Sequence, residues 1–273
     1  MADVVEKRAE VGGTEVVWRE ALPTTPAPVL YLHGVPTSGS DWLPFLAATG
    51  GIAPDLPGFG RSGKSAGFDY SIPGYARFLR AFVDQLGLVR ISMVVHDWGS
   101  VGLALAQEAP ELIERLVVIN AVPFLPGYRW HPVARIWRTP ILGELFMGTT
   151  TKRGTRFIAR RTRSVPEEHI DGWIEEHLPN FDHGTQRAIL RLYRSAPPDV
   201  LARAGERLGE VTAPALVVWG ERDPFLPTKF AQAYADALGG ETEVDIVERA
   251  GHWPFVDRPD LVAQIARFLG GGG

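Results

Sequence analysis

Apolar positions along the chain follow two alternating patterns: short unbroken apolar runs, and longer stretches in which apolar side chains recur every three or four residues. Residues 4–18 alternate apolar and polar positions on either side of Gly12-Gly13, which predicts a two-stranded hairpin. Residues 29–32, 116–119 and 214–219 are continuous apolar runs, and so is 91–95 apart from Ser92, the mark of strands covered on both faces. Shorter strands are expected at 52–54 and 243–247. Between them, residues 75–86 carry Phe78, Leu79, Phe82, Val83 and Leu86 at helical spacing and stop at Gly87, where a C-cap belongs. Further helices are expected from about Asp41 and over 101–109, 228–238 and 259–269. Strands alternating with helices predict an α/β fold, a mostly parallel sheet with helices on both faces.

The pattern changes between residues 122 and 205. Helical pieces there are broken by Pro123, Pro126, Pro132, Pro140, Pro166, Pro179, Pro197 and Pro198, with Trp130, Trp137 and Trp173 among them. The segment holds thirteen Lys and Arg against eight Asp and Glu, a net of +5 in a chain of net −4. It reads as a helical lid (122–205) inserted into a core domain made of 1–121 and 206–273. Its basic run, Lys152 to Arg163, reads as a solvated helix face. The tryptophans, with Phe124, Phe146, Phe157 and Phe181, imply an apolar cavity for a small apolar substrate.

Composition narrows the class. With 273 residues, 45% hydrophobic and 22% charged, the chain suits one large globular domain with an insertion. The weak net charge gives no argument for nucleic acid. The absence of cysteine excludes disulfides and thiolate metal sites and fits a reducing compartment. The first residues lack the apolar core of a signal peptide, and no run reaches about 18 apolar residues, so a cytoplasmic protein without a membrane partner is expected. Nothing calls for a metal or other cofactor. Gly270 to Gly273 read as a frayed tail.

The chemistry centres on residues 92–102, where an apolar run breaks off at Asp97 and resumes as a helix rich in small residues, Gly99, Ser100 and Gly102. A strand turning sharply into a helix needs such residues to let the two pack closely, and the turn lifts one side chain onto the helix N-terminus. Here that side chain is a carboxylate. A carboxylate is a better leaving group than the alkoxide of an ester, so it suits attack on sp3 carbon instead. Opening an epoxide or expelling a halide leaves an alkyl ester on Asp97, which water must then hydrolyse with the help of a base.

Asp223 and His252 supply the remaining parts. Like Asp97, each sits just past the carboxyl end of an expected parallel strand, and those ends lie along one edge of the sheet. With these residues in view, the chain resembles the aspartate-nucleophile branch of the α/β-hydrolases, which holds epoxide hydrolases and haloalkane dehalogenases. His33-Gly34-Val35-Pro36 is similar to the oxyanion loop of that branch, His96-Asp97-Trp98-Gly99 to its elbow and Gly251-His252-Trp253 to its histidine loop. The resemblance spans nearly the whole chain and implies an eight-stranded, mostly parallel sheet. It implies His252 as the water-activating base, Asp223 as its orienting acid, and the backbone N–H groups of Val35 and Trp98 as the oxyanion hole. His33 and His96 are expected to shape loops. The Val35-Pro36 bond is a candidate for the cis form.

The leaving group divides the branch. Epoxide hydrolases resemble one another in protonating the opening ring with lid tyrosines, for which Tyr193 fits; Tyr128 is the only other lid tyrosine and comes early. Haloalkane dehalogenases are similar in holding the halide with the indole after the nucleophile, which Trp98 matches, and a second donor. In many of them that donor is an Asn at the position of Val35, and in some it is a lid tryptophan, for which Trp130 or Trp137 would serve. A fluoroacetate-type site would need Arg in place of Trp98. Substrate contacts are thus expected from Trp98, Tyr128 and Trp137, with epoxide opening as the first reading and dehalogenation as the alternative. A catalytically silent binding protein of the same fold has no need of Asp97, Asp223 and His252 together.

Overall fold

Eight strands form one sheet in the order β1-β2-β4-β3-β5-β6-β7-β8 in a computed structural model that describes residues 3–162 and 164–270. The strands are β1 (Val5–Val11), β2 (Thr14–Ala21), β3 (Val29–Leu32), β4 (Gly51–Pro54), β5 (Ile91–Asp97), β6 (Ile113–Ala121), β7 (Ala215–Gly220) and β8 (Thr242–Val247). β1 and β2 pair antiparallel as the expected hairpin, and β2 pairs antiparallel with β4. All other pairings are parallel.

Alternate residues of the central strands feed two separate cores. Leu30, Leu32, Met93, Val95, Leu116, Val118 and Val217 belong to one apolar cluster. Their neighbours Val29, Tyr31, Val94, Val117, Ile119, Leu216 and Val218 belong to the other. The two-residue period of a strand therefore explains why these runs are apolar throughout. The first cluster is closed by α2 (Ile72–Gln85), α3 (Gly102–Glu108) and α10 (Lys229–Ala237), the second by α1 (Leu43–Thr49) and α12 (Asp260–Phe268). Helix α2 begins where Ser71 caps the N–H of Gly74, with Pro73 in its first turn.

Between β6 and β7 the chain is helical: α4 (Pro132–Arg138), α5 (Leu142–Gly148), α6 (Lys152–Thr162), α7 (Ile170–His177), α8 (His183–Ser195) and α9 (Pro198–Ala204). A short α11 (Pro254–Asp257) follows the histidine loop. On α6, Arg156 pairs with Asp171 and Arg160 with Glu167 at the surface, as a solvated basic face would. Arg163 and Gly271 to Gly273, parts of that run and of the glycine tail, lie outside the described residues. Phe157, expected to line a cavity, is instead 69% exposed on the outer side of α6, and Phe124 is core. No helix among the described residues is long and apolar enough to cross a membrane.

Candidate active site

β5 runs two residues further than its apolar pattern suggests and ends on Asp97 itself, whose backbone takes φ 49° and ψ −118°. That left-handed geometry is rare for a residue with a side chain and is held here by close packing on both sides. A Cβ on Gly99 would stand 2.1 Å from the Leu32 carbonyl oxygen, and one on Gly34 would stand 2.4 Å from the Asp97 Cβ. Only glycine admits the elbow and the oxyanion loop at this spacing.

The Asp97 carboxyl is buried, and its two oxygens have different surroundings. Oδ1 accepts a hydrogen bond from the Val35 N–H at 2.8 Å, and the Trp98 N–H also points at the carboxyl. Oδ2 faces His252, whose Nε2 is 3.7 Å away. Burial raises the Asp97 pKa against the pull of His252 and the two backbone donors. The Val35-Pro36 peptide in this loop is cis, as anticipated.

His252 is fixed from behind. Its Nδ1–H donates to Asp223 Oδ2 at 2.8 Å, and the Nε2–H of His96 donates to the His252 carbonyl at 2.8 Å. Asp223 Oδ1 accepts from the N–H groups of Phe225 and Leu226, at 2.7 and 3.0 Å. Burial resists ionisation of both His252 and Asp223, yet their mutual attraction prevails: the His252 pKa rises and that of Asp223 falls.

Asn120 escaped the sequence reading. It sits at the end of β6 with φ 36°, donates to Asp223 Oδ2 at 2.5 Å and accepts from the Gly220 N–H at 2.9 Å, tying β6 to the acid loop. An Asn at a strand's carboxyl end was its only signal. His33 behaves as expected. Its Nε2 accepts from the Leu56 N–H, so Nδ1 carries the proton and donates to the Gly34 carbonyl, joining the oxyanion loop to the loop after β4.

A mostly apolar cavity, about 980 Å³ including its open mouth, lies between this edge of the sheet and the helical insertion. Asp97, His252 and Val35 form its floor, and Trp137, Phe146, Phe181 and Tyr193 are among its walls. The Tyr193 ring is wedged against Trp98, Trp130 and Trp137, with centroids 5.2, 4.9 and 4.9 Å away.

Three of the expected contacts fall elsewhere. Tyr128, expected at the substrate, is not on the cavity wall; it packs behind Trp130 and on Phe230 of α10. The Trp98 side chain lies beneath Trp130 and borders a smaller hollow with Leu56 and Phe59. Trp130 cannot offer its indole N–H, which donates to the Ala196 carbonyl at 2.9 Å.

His131 is a cavity residue that sequence reasoning missed. It caps α4, where its Nδ1 accepts from the Ala134 N–H at 3.3 Å, so in the neutral ring the proton is on Nε2. The position before Pro132 signals a cap; that the ring also faces a cavity depends on packing against Phe225.

Four histidines held below their ordinary pKa set the response to acid. Burial holds His33 and His131 down to about 4, His96 to about 3, and His177 below its ordinary value. Unfolded, each takes a proton near pH 6.5, so unfolding binds protons and stability falls as pH drops below that value. Asp41, raised by burial to about 8, holds a proton in the native state, and the raised Asp97 pKa acts in the same direction, so the two offset at most two of the four. Stability should fall by about 3 kcal/mol per pH unit between roughly pH 6 and 4.5. Urea midpoints across pH 7.5–4.5 measure this, and a flat profile would contradict the burial of neutral imidazoles.

A protein-family model described as the alpha/beta hydrolase family matches residues 29–265. The chain belongs to this family. It is a hydrolase of haloalkane dehalogenase-like type. A haloalkane dehalogenase of Mycolicibacterium paratuberculosis is 32% identical over 264 residues, covering 89% of this chain and 83% of that protein. The crystal structure of the haloalkane dehalogenase DbeA from Bradyrhizobium elkani superposes with a TM-score of 0.81 at 26% identity, covering 98% of each chain. The epoxide hydrolase CorEH superposes with a TM-score of 0.76 over 98% of this chain and 99% of that one; at 19% identity this likeness speaks to the fold alone.

Proposed function

We propose that the protein opens a small apolar epoxide to a vicinal diol through an alkyl ester on Asp97, with residues 122–205 serving as the lid. The observation that carries this reading is that Tyr193 and His131 share the cavity wall above Asp97 and His252. Burial keeps the Tyr193 phenol protonated far above neutral pH, so it is available as a donor.

In the first step Asp97 Oδ2 attacks an epoxide carbon, the carbon–oxygen bond breaks, and the departing oxygen takes the Tyr193 proton while the Nε2–H of His131 supports it. In the second, His252 Nε2 removes a proton from water as it attacks the Asp97 carboxyl carbon. The oxyanion forms on Oδ1, already against the Val35 and Trp98 N–H groups. Collapse leaves Asp97 as the carboxylic acid and expels the diol, which takes the proton from the imidazolium; Asp97 then releases its proton to solvent, and the Tyr193 phenolate regains one from it. The Asp97 charge contributes to raising the His252 pKa, and alkylation removes that charge. The imidazole is thus freed to act as a base just when water must be activated.

Dehalogenation is the second reading, supported by the relatives and by one feature of the site. The indole N–H groups of Trp98 and Trp137 are buried without a hydrogen-bond partner among the described residues, and Trp137 lines the cavity. Trp137 would supply a halide donor from the cavity wall, whereas the Trp98 indole lies beneath Trp130, off that wall, beside the Tyr193 hydroxyl. Incubation with styrene oxide and with 1-bromobutane, reading diol and bromide separately, tests one against the other. Tyr193→Phe should lower epoxide opening about 10²-fold, the low end for losing one general acid, and leave bromide release nearly unchanged. Silence of that variant toward styrene oxide would leave the halide reading in place.

A further inference from the structure

The proposed chemistry uses one flank of the cavity and leaves another polar wall without a task. His177, the last residue of α7, lines the cavity, and its Nε2 lies 3.3 Å from Asp41 Oδ1 in the turn Gly39–Trp42. Both side chains are 5% exposed. Trp173, one turn earlier on α7, packs 4.9 Å from His177 and 5.5 Å from Trp253, and both tryptophans also line the cavity. This group belongs to the second apolar core, whereas Tyr193, Trp98 and Trp130 belong to the first.

Polar atoms accumulate here without partners. Asp41 Oδ2 and the indole N–H groups of Trp173 and Trp253 are buried with no hydrogen bond among the described residues. The Trp253 indole faces the Asp41 carboxyl but stays outside hydrogen-bond geometry. Unpaired buried polar groups are costly, and most native ones are satisfied by protein, water or a ligand.

We propose that His177, oriented by Asp41, and the indole N–H of Trp173 form a second hydrogen-bonding subsite that takes an oxygen-bearing substituent of the substrate, remote from the carbon that Asp97 attacks. The natural substrates are then oxygenated electrophiles, carrying a hydroxyl, ether or carbonyl group, rather than bare hydrocarbon chains. The proposal rests on Asp97 as the attacking group and holds for either leaving group.

The character of the wall selects a neutral acceptor. Burial favours the protonated Asp41 carboxyl and the neutral His177 ring. With the carboxyl proton directed at Nε2, the His177 N–H lies on Nδ1, so His177 and Trp173 both present donors. No Lys or Arg lines the cavity among the described residues, so none of the described wall residues would pair with an anionic substituent. The carboxyl lies behind the wall, out of reach of a cation.

The test compares kcat/KM within two matched pairs: 1,2-epoxyhexane against 5,6-epoxyhexan-1-ol, and 1-bromohexane against 6-bromohexan-1-ol. Wild type should favour the hydroxylated member about tenfold, the scale of one net hydrogen bond. His177→Phe should bring that ratio close to one. Trp173→Phe, which keeps one aromatic ring and loses the N–H with the pyrrole half of the indole, should lower it by a smaller factor. A wild-type ratio of one in whichever pair is turned over, or a ratio unchanged in both variants, overturns the subsite. If only the bromides react and the preference appears there, the epoxide reading fails and the subsite stands.

Discussion

Asp97→Asn should abolish turnover of epoxide and haloalkane alike, by about 10⁴-fold or more, as expected for a group that forms the covalent intermediate. An amide has the shape of the carboxyl but no negative charge with which to displace an alkoxide or halide. The local structure should survive the change. The amide oxygen can accept the Val35 N–H that Oδ1 accepts now, and removing a buried charge relieves a desolvation cost. Thermal unfolding near the wild-type temperature, with no diol or bromide formed, is the expected pair of results. Normal turnover by this variant would mean that Asp97 only caps the elbow helix and that water attacks substrate directly.

The parts of this site that are legible in the sequence come from strand pattern and chain order. Asp97 and Asp223 follow apolar runs, and a run covered on both faces is a central strand, which places both at the sheet's carboxyl edge; His252 follows the alternating edge strand β8, and its place is legible from the order nucleophile, acid, histidine. The two-residue alternation between the cores explains the strength of that signal: Leu30 and Tyr31 are both buried, but on opposite faces. What escaped depended on packing between distant segments. His131 looks like a helix cap in sequence and is one, yet its ring also lines the cavity, where it packs against Phe225, a residue of the acid loop. Tyr128 is expected at the substrate as the other lid tyrosine, and the structure packs its ring behind Trp130 and on Phe230, off the cavity wall. Aromatic residues of the insertion give no periodic clue to which face the inner wall, as the contrast between Phe146 on the wall and the exposed Phe157 makes plain.

His252→Gln should produce the opposite failure, an enzyme that reacts once and stops. The variant keeps Asp97, its backbone donors and the cavity wall, so the first step needs nothing that has been removed. Asp223 would still be held by Asn120 and by the N–H groups of Phe225 and Leu226, which spares the fold an isolated buried carboxylate. Glutamine cannot take a proton from water, so the alkyl ester should accumulate toward one per chain while steady-state product falls by about 10³-fold or more, within the range for losing a triad member. Intact mass then reads the electrophile directly. An epoxide adds its entire mass, because ring opening expels nothing and the oxygen gains the proton that neutralises it. A haloalkane adds only its alkyl group in place of a proton. A modified chain with the whole epoxide mass on Asp97 would support ring opening and the order of steps together. A chain that stays unmodified at saturating substrate while wild type turns over would remove His252 from the role of hydrolytic base, because a missing base can block the second step but not the first.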